Sequence, residues 1–218
     1  MVEFEDSVKI ALAELRKNNE KRKFEQTIDL LVNLKKFDVR KESLNLFVSV
    51  PHKIKDKKVC AFFESKSESV ETITTNDFKR YKDKREIKKL AKKFDFFIAQ
   101  ASLMPIVATN FGKVLGPMAK MPSPQLGILP APNDKLVQEL VGKINKTIKV
   151  RSKEASLKFS IGRENMNDSE VIENIIVTYN TILKSLSKGR DNIRNVKIKF
   201  TMSHPVKINI DSLSNINK

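Results

Sequence analysis

The chain has 218 residues, 40% of them hydrophobic, which is enough for one large or two small packed domains. Its 42 basic and 26 acidic residues give a formal net charge of +16, which favours a polyanionic partner over the alternative of an ordinary lysine-rich soluble protein. The single cysteine excludes an intramolecular disulfide. No apolar run approaches the roughly 18 residues of a membrane span, and the lack of tryptophan disfavours a membrane-surface role, so no membrane partner is expected.

The first predicted elements are a helix and two strands. Residues 4–16 predict an amphipathic helix, because their apolar residues recur at helical spacing. The next segment, "KFEQTIDLLVNLK", alternates apolar and polar residues and predicts a half-buried strand. "SLNLFVSV" repeats the alternation and stops at Pro51. One side of the first strand is predicted to carry Phe24, Ile28, Leu30, Val32 and Leu34, and the other side Glu25, Thr27, Asp29 and Asn33.

The middle of the chain has a different texture. "KVCAFF" and "FDFFIAQ" are short apolar runs, typical of strands that are covered on both faces. Between them "KREIKKLAKKF" predicts a helix, and Asn133 is placed to cap a further one. The inward residues of that second helix are predicted to be Leu136, Val137 and Leu140. Alternating short strands and helices favour a small α/β domain with a parallel sheet.

After residue 155 the alternation of apolar and polar residues returns. "ASLKFSIG" predicts a strand, and a long helix follows, for which Asn167 and Glu170 have the spacing of a capping box. Gly189, just beyond the helix, suits a left-handed C-cap. "NVKIKFTM" and "PVKINI" predict two final strands. The apolar stripe of the helix comprises Ile172, Ile175, Ile176, Tyr179, Ile182, Leu183 and Leu186.

These elements predict two domains, because one-sided strands and amphipathic helices must cover each other. Residues 1–51 and 156–218 are expected to form a discontinuous two-layer α+β domain, an antiparallel sheet with two helices. Residues 52–155 are expected to form an inserted α/β domain. The chain would cross between them near Val50-Pro51 and again near Ser152 to Ala155, which we interpret as a hinge.

Signals for catalysis are thin. The two histidines each lie beside a proline, and one cysteine cannot complete a zinc set. "GKVLGP" lacks the Lys-Ser/Thr pair of a Walker loop. We therefore predict a protein that is not an enzyme, with no catalytic residue, no metal and no cofactor. Two alternatives stay open: a nucleotide-binding enzyme that uses residues 112–127 as a phosphate loop, and a generic basic interaction module.

The charge and the candidate contact residues lie in different segments. Most of the excess positive charge falls in residues 52–155, notably in "KRYKDKREIKKLAKK", which is also what a solvated helix face looks like. The terminal segments offer an aromatic at a sheet edge and short polar or flat side chains, which suit the reading of ribose and backbone shape in folded RNA. They are Phe24, Glu25, Thr27, Ser160, Thr201, Met202 and Ser203. The alternative for Thr201 to Pro205 is a plain hairpin turn.

Several motifs together resemble one family. "GKVLGPMAKMPSPQLG", "KFEQTIDLLVNL", "VSVPHK", "DFFIAQASLMP", "FSIGRENM" and "KFTMSHPVKI" occur in its order and spacing. The family is the universal large-subunit ribosomal protein L-one, which builds the mobile stalk beside the tRNA exit site, and the resemblance is strongest to archaeal members. It implies a discontinuous domain with a Rossmann-like insertion and a cytoplasmic protein of the large subunit that is a monomer off the ribosome. The implied partners are the large-subunit rRNA stalk, deacylated tRNA, whose release it assists, and its own mRNA operator, at which it acts as a repressor.

The resemblance also implies particular site residues. The RNA contacts are expected at Lys23, Phe24, Glu25 and Thr27, at Lys158, Ser160 and Gly162, and at Thr201, Met202 and Ser203. Lys113 and Lys120, in a proline-stiffened loop, are expected to be free to meet phosphates of tRNA or rRNA. Ser203 stands where the family has glycine, and Met118-Ala119 stands where it has Arg-Gly.

Overall fold

The computed structural model describes residues 2–20, 22–42, 44–67, 69–131, 133–152 and 154–209. Within them the chain is a mixed α/β protein with three sheets and five α-helices. It divides into two compact units, which we call the terminal unit (1–55 and 146–218) and the central unit (56–145). Among the described residues, no helix combines the length and the apolar character needed to cross a membrane.

The elements in chain order are α1 (Val2–Lys17), β1 (Thr27–Leu34), β2 (Asn45–Ser49), β3 (Val59–Phe62), β4 (Glu71–Ile73), α2 (Lys84–Lys93), β5 (Phe96–Gln100), α3 (Met104–Leu115), β6 (Ile128–Leu129), α4 (Asp134–Asn145), β7 (Thr147–Arg151), β8 (Ser156–Arg163), α5 (Asp168–Ser185), β9 (Ile193–Phe200) and β10 (Val206–Ile208). The last residue of the predicted strand "PVKINI" lies outside the described residues.

The terminal unit is built on an antiparallel sheet with the strand order β10-β9-β1-β8. Its strands come from both ends of the chain. Alternate residues of β1 are buried, beginning with Ile28, because α1 and α5 cover one face of the sheet. The residues between them, beginning with Thr27, stay partly exposed on the other face. The sheet therefore has one apolar, helix-covered face and one polar face.

A two-stranded sheet also belongs to the terminal unit. The strands β2 and β7 pair antiparallel, and Leu44 and Ser152 exchange hydrogen bonds beyond the ends of the two strands. Ser152 is buried there. Residues 52–55 and 146–155 were placed in the inserted domain from the sequence, and the structure groups them with the terminal unit instead. The pairing of β7 with β2 ties the second of these segments to the terminal unit.

The central unit has a parallel sheet with the order β4-β3-β5-β6. Successive residues of β3 point into two different apolar clusters: Cys60 and Phe62 join residues of α2 and α3, whereas Val59 and Ala61 join residues of α4. Both faces of the sheet are thus covered, which explains the continuous apolar run that the sequence shows at this strand.

Local details differ from the predictions in three places. Asn167 precedes α5, but its side chain makes no capping hydrogen bond, so the predicted capping box is wrong. Gly189 has a left-handed φ of 50°, yet the chain already becomes extended at Leu186, so this glycine does not cap α5. Leu136 is 41% exposed because it lies on the outer side of α4, not on the inner side.

The segment 112–127 begins in a helix that the sequence analysis missed. Helix α3 starts with a proline in its first turn, which fixes φ where no intrahelical donor is needed. Its buried residues have helical spacing: Val107, Phe111, Val114 and Leu115. This pattern is visible in the sequence and is the signal that could have located α3.

Candidate nucleic-acid interface

The candidate interface is centred on a pair of threonines. The backbone N–H of Thr201 donates to the carbonyl of Thr27 (3.1 Å), and the N–H of Thr27 donates to Oγ1 of Thr201 (3.2 Å). The two hydroxyl oxygens lie 3.0 Å apart, and either can be the donor. These contacts bridge positions 174 residues apart in sequence. They extend the β1–β9 pairing by one step and place two hydroxyls at the end of the polar face.

Met202 is held by its backbone while its side chain stays in solvent. Its N–H donates to Oε1 of Gln26 (3.2 Å), and Nε2 of Gln26 donates to Asn19 (2.9 Å). Gln26 is buried. Its backbone carbonyl also accepts a hydrogen bond from the backbone N–H of Glu164 (2.9 Å). The side chain of Met202 is nevertheless 63% exposed. An apolar group this exposed on an anchored backbone is pre-organised for a contact.

Three further predicted contacts precede β1. Lys23 and Phe24 are exposed, with Phe24 at 52%. Glu25 accepts a hydrogen bond from Nη1 of Arg163 (2.7 Å) in an ion pair. Glu25 is therefore already engaged, and Arg163 is a neighbour of the site that the sequence analysis did not name.

The strand register determines on which face of the sheet the predicted residues of β8 lie. Ser160 pairs with Asp29 and Lys158 with Leu31, so both lie on the polar face that also carries Thr27. Lys158 is exposed, and its ammonium lies 3.8 Å from Glu154. Gly162 is different: it is buried, and a Cβ placed on it would lie 3.1 Å from a methyl group of Val171 on α5. The structure thus gives Gly162 a packing role on the covered side of the sheet.

Ser203 closes the turn after β9 without strain. Its hydroxyl oxygen accepts the N–H of Phe200 (2.8 Å), and its own N–H donates to the Phe200 carbonyl (3.2 Å). The positive-φ residues that are not glycine in the described chain are Lys36 and Ala119, so Ser203 needs no left-handed backbone. Serine is therefore compatible with the turn, and its hydroxyl stabilises the turn through the hydrogen bond with Phe200.

Asp29 adds a carboxyl group to the polar face. Partial burial raises its pKa above the usual value, while the nearby Lys199 ammonium and a hydrogen bond with Thr27 act in the opposite direction. Its register partners are Ser160 on one side and Lys199 on the other. The carboxylate therefore neutralises part of the positive charge at the centre of the face.

A cleft of about 630 Å³ lies beside Met202 in the terminal unit. Its lining includes the carboxylates of Glu14 and Glu20 and also the cationic side chains of Arg22 and Lys207. Nη2 of Arg22 lies 2.7 Å from Glu20. Two acidic and two basic side chains balance in formal charge, so the charge of the cleft by itself selects neither an anion nor a cation.

In the central unit the two predicted lysines differ. Lys113 is exposed on α3. The ammonium of Lys120 donates to the carbonyls of Ala91 and Phe94, each at 2.7 Å, and so satisfies the C-terminal end of α2. The prediction that Lys120 is free for phosphates is wrong, because its charge is committed to these two carbonyls. This contact also argues against a phosphate loop at residues 112–127.

One departure from the family pattern, Ala119, lies in the turn after α3. The N–H of Lys120 donates to the carbonyl of Leu115 (3.0 Å), and the N–H of Ala119 donates to that of Gly116 (2.9 Å). This is the hydrogen-bond pattern of a Schellman motif, in which the residue equivalent to Ala119 is left-handed and usually glycine. Ala119 has φ 56°. Alanine is thus under strain where glycine would not be.

The predicted hinge residues are mostly tied down inside the terminal unit. Val50 and Ser152 are buried, and both donate backbone hydrogen bonds there. The carbonyl of Ala155 accepts from the N–H of Leu34 (2.8 Å), and Pro51 is exposed. Their role as a hinge stays a prediction. In the described part of the chain, no group of three or more His, Cys, Asp or Glu side chains is placed to hold a metal ion.

Comparison with known proteins places the chain among ribosomal proteins. A sequence model of the Ribosomal protein L1p/L10e family matches residues 15–204, and the chain belongs to this family. It is 36% identical to "Large ribosomal subunit protein uL1" of Pyrobaculum islandicum over 209 residues, which cover 89% of this chain and 90% of that protein. The protein of the same name from Thermoplasma acidophilum is 33% identical over 215 residues (93% and 96%). That of Nanoarchaeum equitans is 34% identical over 203 residues (88% and 95%). These matches confirm the family predicted from the motifs and agree with a protein that is not an enzyme.

Proposed function

We propose that this protein is a structural constituent of the large ribosomal subunit in the cytoplasm and that its terminal unit binds the stalk region of large-subunit rRNA. The relatives named above carry the large subunit in their names, and the net charge of +16 suits a polyanion. The single observation that carries the proposal is the polar end of the terminal sheet, where the hydroxyls of Thr27 and Thr201 and the exposed side chain of Met202 lie together on hydrogen-bonded backbone.

The chemistry of this surface fits folded RNA better than a specific base sequence. The hydroxyls of Thr27 and Thr201 can exchange hydrogen bonds with 2′-hydroxyl groups, which identify RNA. Phe24 and Met202 offer flat or flexible apolar contact for sugars and bases. Lys158 supplies a cation on the same face for phosphates. Recognition would thus read the shape of the RNA, with affinity added by charge.

We also propose that the fold behind this function is a discontinuous domain with a Rossmann-like insertion. The parallel sheet of the central unit with helices on both faces supports the second part of that description. We further propose that the protein is a monomer off the ribosome, assists release of deacylated tRNA and represses its own mRNA by binding an operator that mimics the rRNA site. Lys113 and three exposed lysines of α2, at positions 84, 88 and 92, are available for tRNA phosphates. Lys89 and Lys93 are paired with Glu86 and Glu71 instead.

The test is direct binding of the full chain to a folded rRNA stalk fragment, with a random RNA duplex of equal length as the competitor. We expect preference for the stalk fragment that persists as salt is raised, because shape contacts are less salt-dependent than phosphate contacts. Equal affinity for the two RNAs would instead support a generic basic module. Crosslinking in purified ribosomes, followed by identification of the crosslinked nucleotides, locates the contact on the subunit.

A further inference from the structure

We propose that the helix-free face of the terminal sheet carries a second RNA contact, a row of three lysines that binds phosphates beyond the threonine pair. The row consists of Lys207 on β10, Lys197 on β9 and Lys158 on β8, with Leu31 of β1 between the last two. Lys158 already belongs to the proposed interface, and Lys197 and Lys207 extend it across the sheet. The inference rests on the proposed function, and it identifies the part of the surface that binds the phosphate backbone of the RNA.

The register of the sheet aligns the row. Lys207 pairs with Lys197, Lys197 pairs with Leu31, and Leu31 pairs with Lys158. Residues that pair across antiparallel strands point to the same face. With strands about 4.8 Å apart, the row spans about 14 Å across the sheet. A nucleic-acid strand carries one phosphate per roughly 3.4 Å of axial rise, so this length can meet several phosphates.

The positive charges of the row are not balanced by carboxylates in the part of the protein that the structure describes. Lys197 and Lys207 are directly opposite each other, and like charges in that position destabilise a sheet. Among the described residues, neither ammonium lies within ion-pair distance of a carboxylate, and Lys158 has only the 3.8 Å contact to Glu154. The carboxylate of Asp29, one step along the face, is paired in register with Lys199 instead. A polyanion bound on the face would neutralise this repulsion.

Position favours RNA over an acidic protein as that polyanion. Leu31 lies four residues after Thr27 on the same strand and the same face, which corresponds to about 14 Å along the sheet. Ser160 and Asp29 lie between the two ends. The threonine pair and the lysine row therefore form one continuous surface, with hydroxyl contacts at one end and cations at the other. Folded RNA presents the matching pair of chemistries, riboses beside phosphates.

The experiment compares two double variants of the full chain that remove the same charge. Lys197→Gln with Lys207→Gln disrupts the row, and Lys41→Gln with Lys188→Gln is the control, since these exposed lysines of the terminal unit lie outside the four strands. The dissociation constant for the stalk rRNA fragment is measured over a range of salt concentrations. We expect the row variant to bind about tenfold more weakly at low salt, with a salt slope reduced by about 2, because each phosphate-contacting lysine contributes close to 1.

A second readout separates binding from folding. Removing the opposed charges is expected to raise the melting temperature of the row variant by about 1–3 °C, since the repulsion it relieves is a few tenths of a kcal/mol to 1 kcal/mol. Weaker binding by a more stable protein supports a contact with RNA. A row variant with the slope and affinity of the control overturns the proposal and leaves the face to an acidic partner or to solvent.

The unsubstituted protein distinguishes this inference from the function on which it rests. If it shows no preference for the stalk fragment over the duplex, the proposed function fails. If it shows the preference and the row variant keeps the same salt slope, the lysine row alone fails.

Discussion

Truncating the two exposed apolar side chains of the interface tests whether they are buried by RNA. The variants are Met202→Ala and Phe24→Ala, with Ile10→Ala on α1 as the matched control. The three side chains are 63%, 52% and 70% exposed in the free protein, respectively. Each truncation therefore removes an apolar group that contributes little to the core, and the free energy of unfolding is expected to change by less than about 0.5 kcal/mol.

The size of the expected binding defect comes from the area that RNA can still cover. Burying a whole methionine or phenylalanine side chain is worth about 1.5–3 kcal/mol. Since 63% of Met202 and 52% of Phe24 remain available, each contact is worth about 1–2 kcal/mol. That corresponds to a rise in the dissociation constant of about 5- to 30-fold for each variant, at 1.4 kcal/mol per factor of ten.

The assay is titration of the stalk rRNA fragment with each variant at fixed salt, combined with thermal unfolding of the free proteins. The Ile10→Ala variant is expected to bind like the unsubstituted chain, because Ile10 is exposed at least as much as Met202 and Phe24 but lies on α1, outside the proposed interface. The reasoning is refuted if all three variants bind alike, since the exposure of Met202 and Phe24 would then have no connection with RNA.

Three further substitutions probe features that the structure alone reveals. Ala119→Gly is expected to raise the free energy of unfolding by about 0.5–1 kcal/mol, because it relieves a left-handed alanine at the price of a more flexible unfolded chain; an unchanged or lower stability in denaturant titration contradicts this. Lys120→Met is expected to lower stability by about 1–3 kcal/mol through loss of two charge-assisted hydrogen bonds, whereas Lys113→Met leaves it unchanged; equal unfolding curves for the two would show that the cap is unimportant. Folding raises the pKa of Asp29 above 3.8, so the folded state holds the proton more tightly and stability falls as pH rises through this range. Asp29→Asn is therefore expected to raise the melting temperature at pH 7 and to have no such effect below pH 3.8, where Asp29 is protonated. An equal rise in melting temperature at both pH values would exclude the desolvated carboxylate as its cause.

Elements with strong periodicity were predictable because the pattern and the burial have the same cause. The alternation from Thr27 to Leu34 and the stripe of α5 both appear in the structure on the covered side of one sheet. The apolar runs at β3 and β5 likewise became strands covered on both faces. By contrast, the capping box at Asn167 failed, since spacing alone does not orient a side chain.

The site was predictable only in part, and mainly through the resemblance. Met202 and the two threonines lie together at one end of the sheet, and Phe24 is exposed three residues before β1. Gly162, by contrast, is buried, and Lys120 is hydrogen-bonded to α2. No local pattern marks Gln26, because its role comes from partners that are far away in sequence. The same holds for Arg163, whose ion pair with Glu25 joins β8 to the segment before β1.

The sequence by itself determined the strongly periodic helices and strands, the buried side of most of them, and a net charge that favours a polyanionic partner. Those properties depend on residue type and on neighbours within a few positions. Tertiary structure alone decided which polar groups are free: the pairing of β1 with β8 and β9 sets the lysine row in register, and the approach of Lys120 to α2 removes its charge from the surface. The physical reason is that hydrogen bonds and ion pairs are short-ranged, so the chemistry available to a ligand depends on which residues the fold brings into contact, 174 positions apart for the threonine pair and 26 for Lys120 and Phe94.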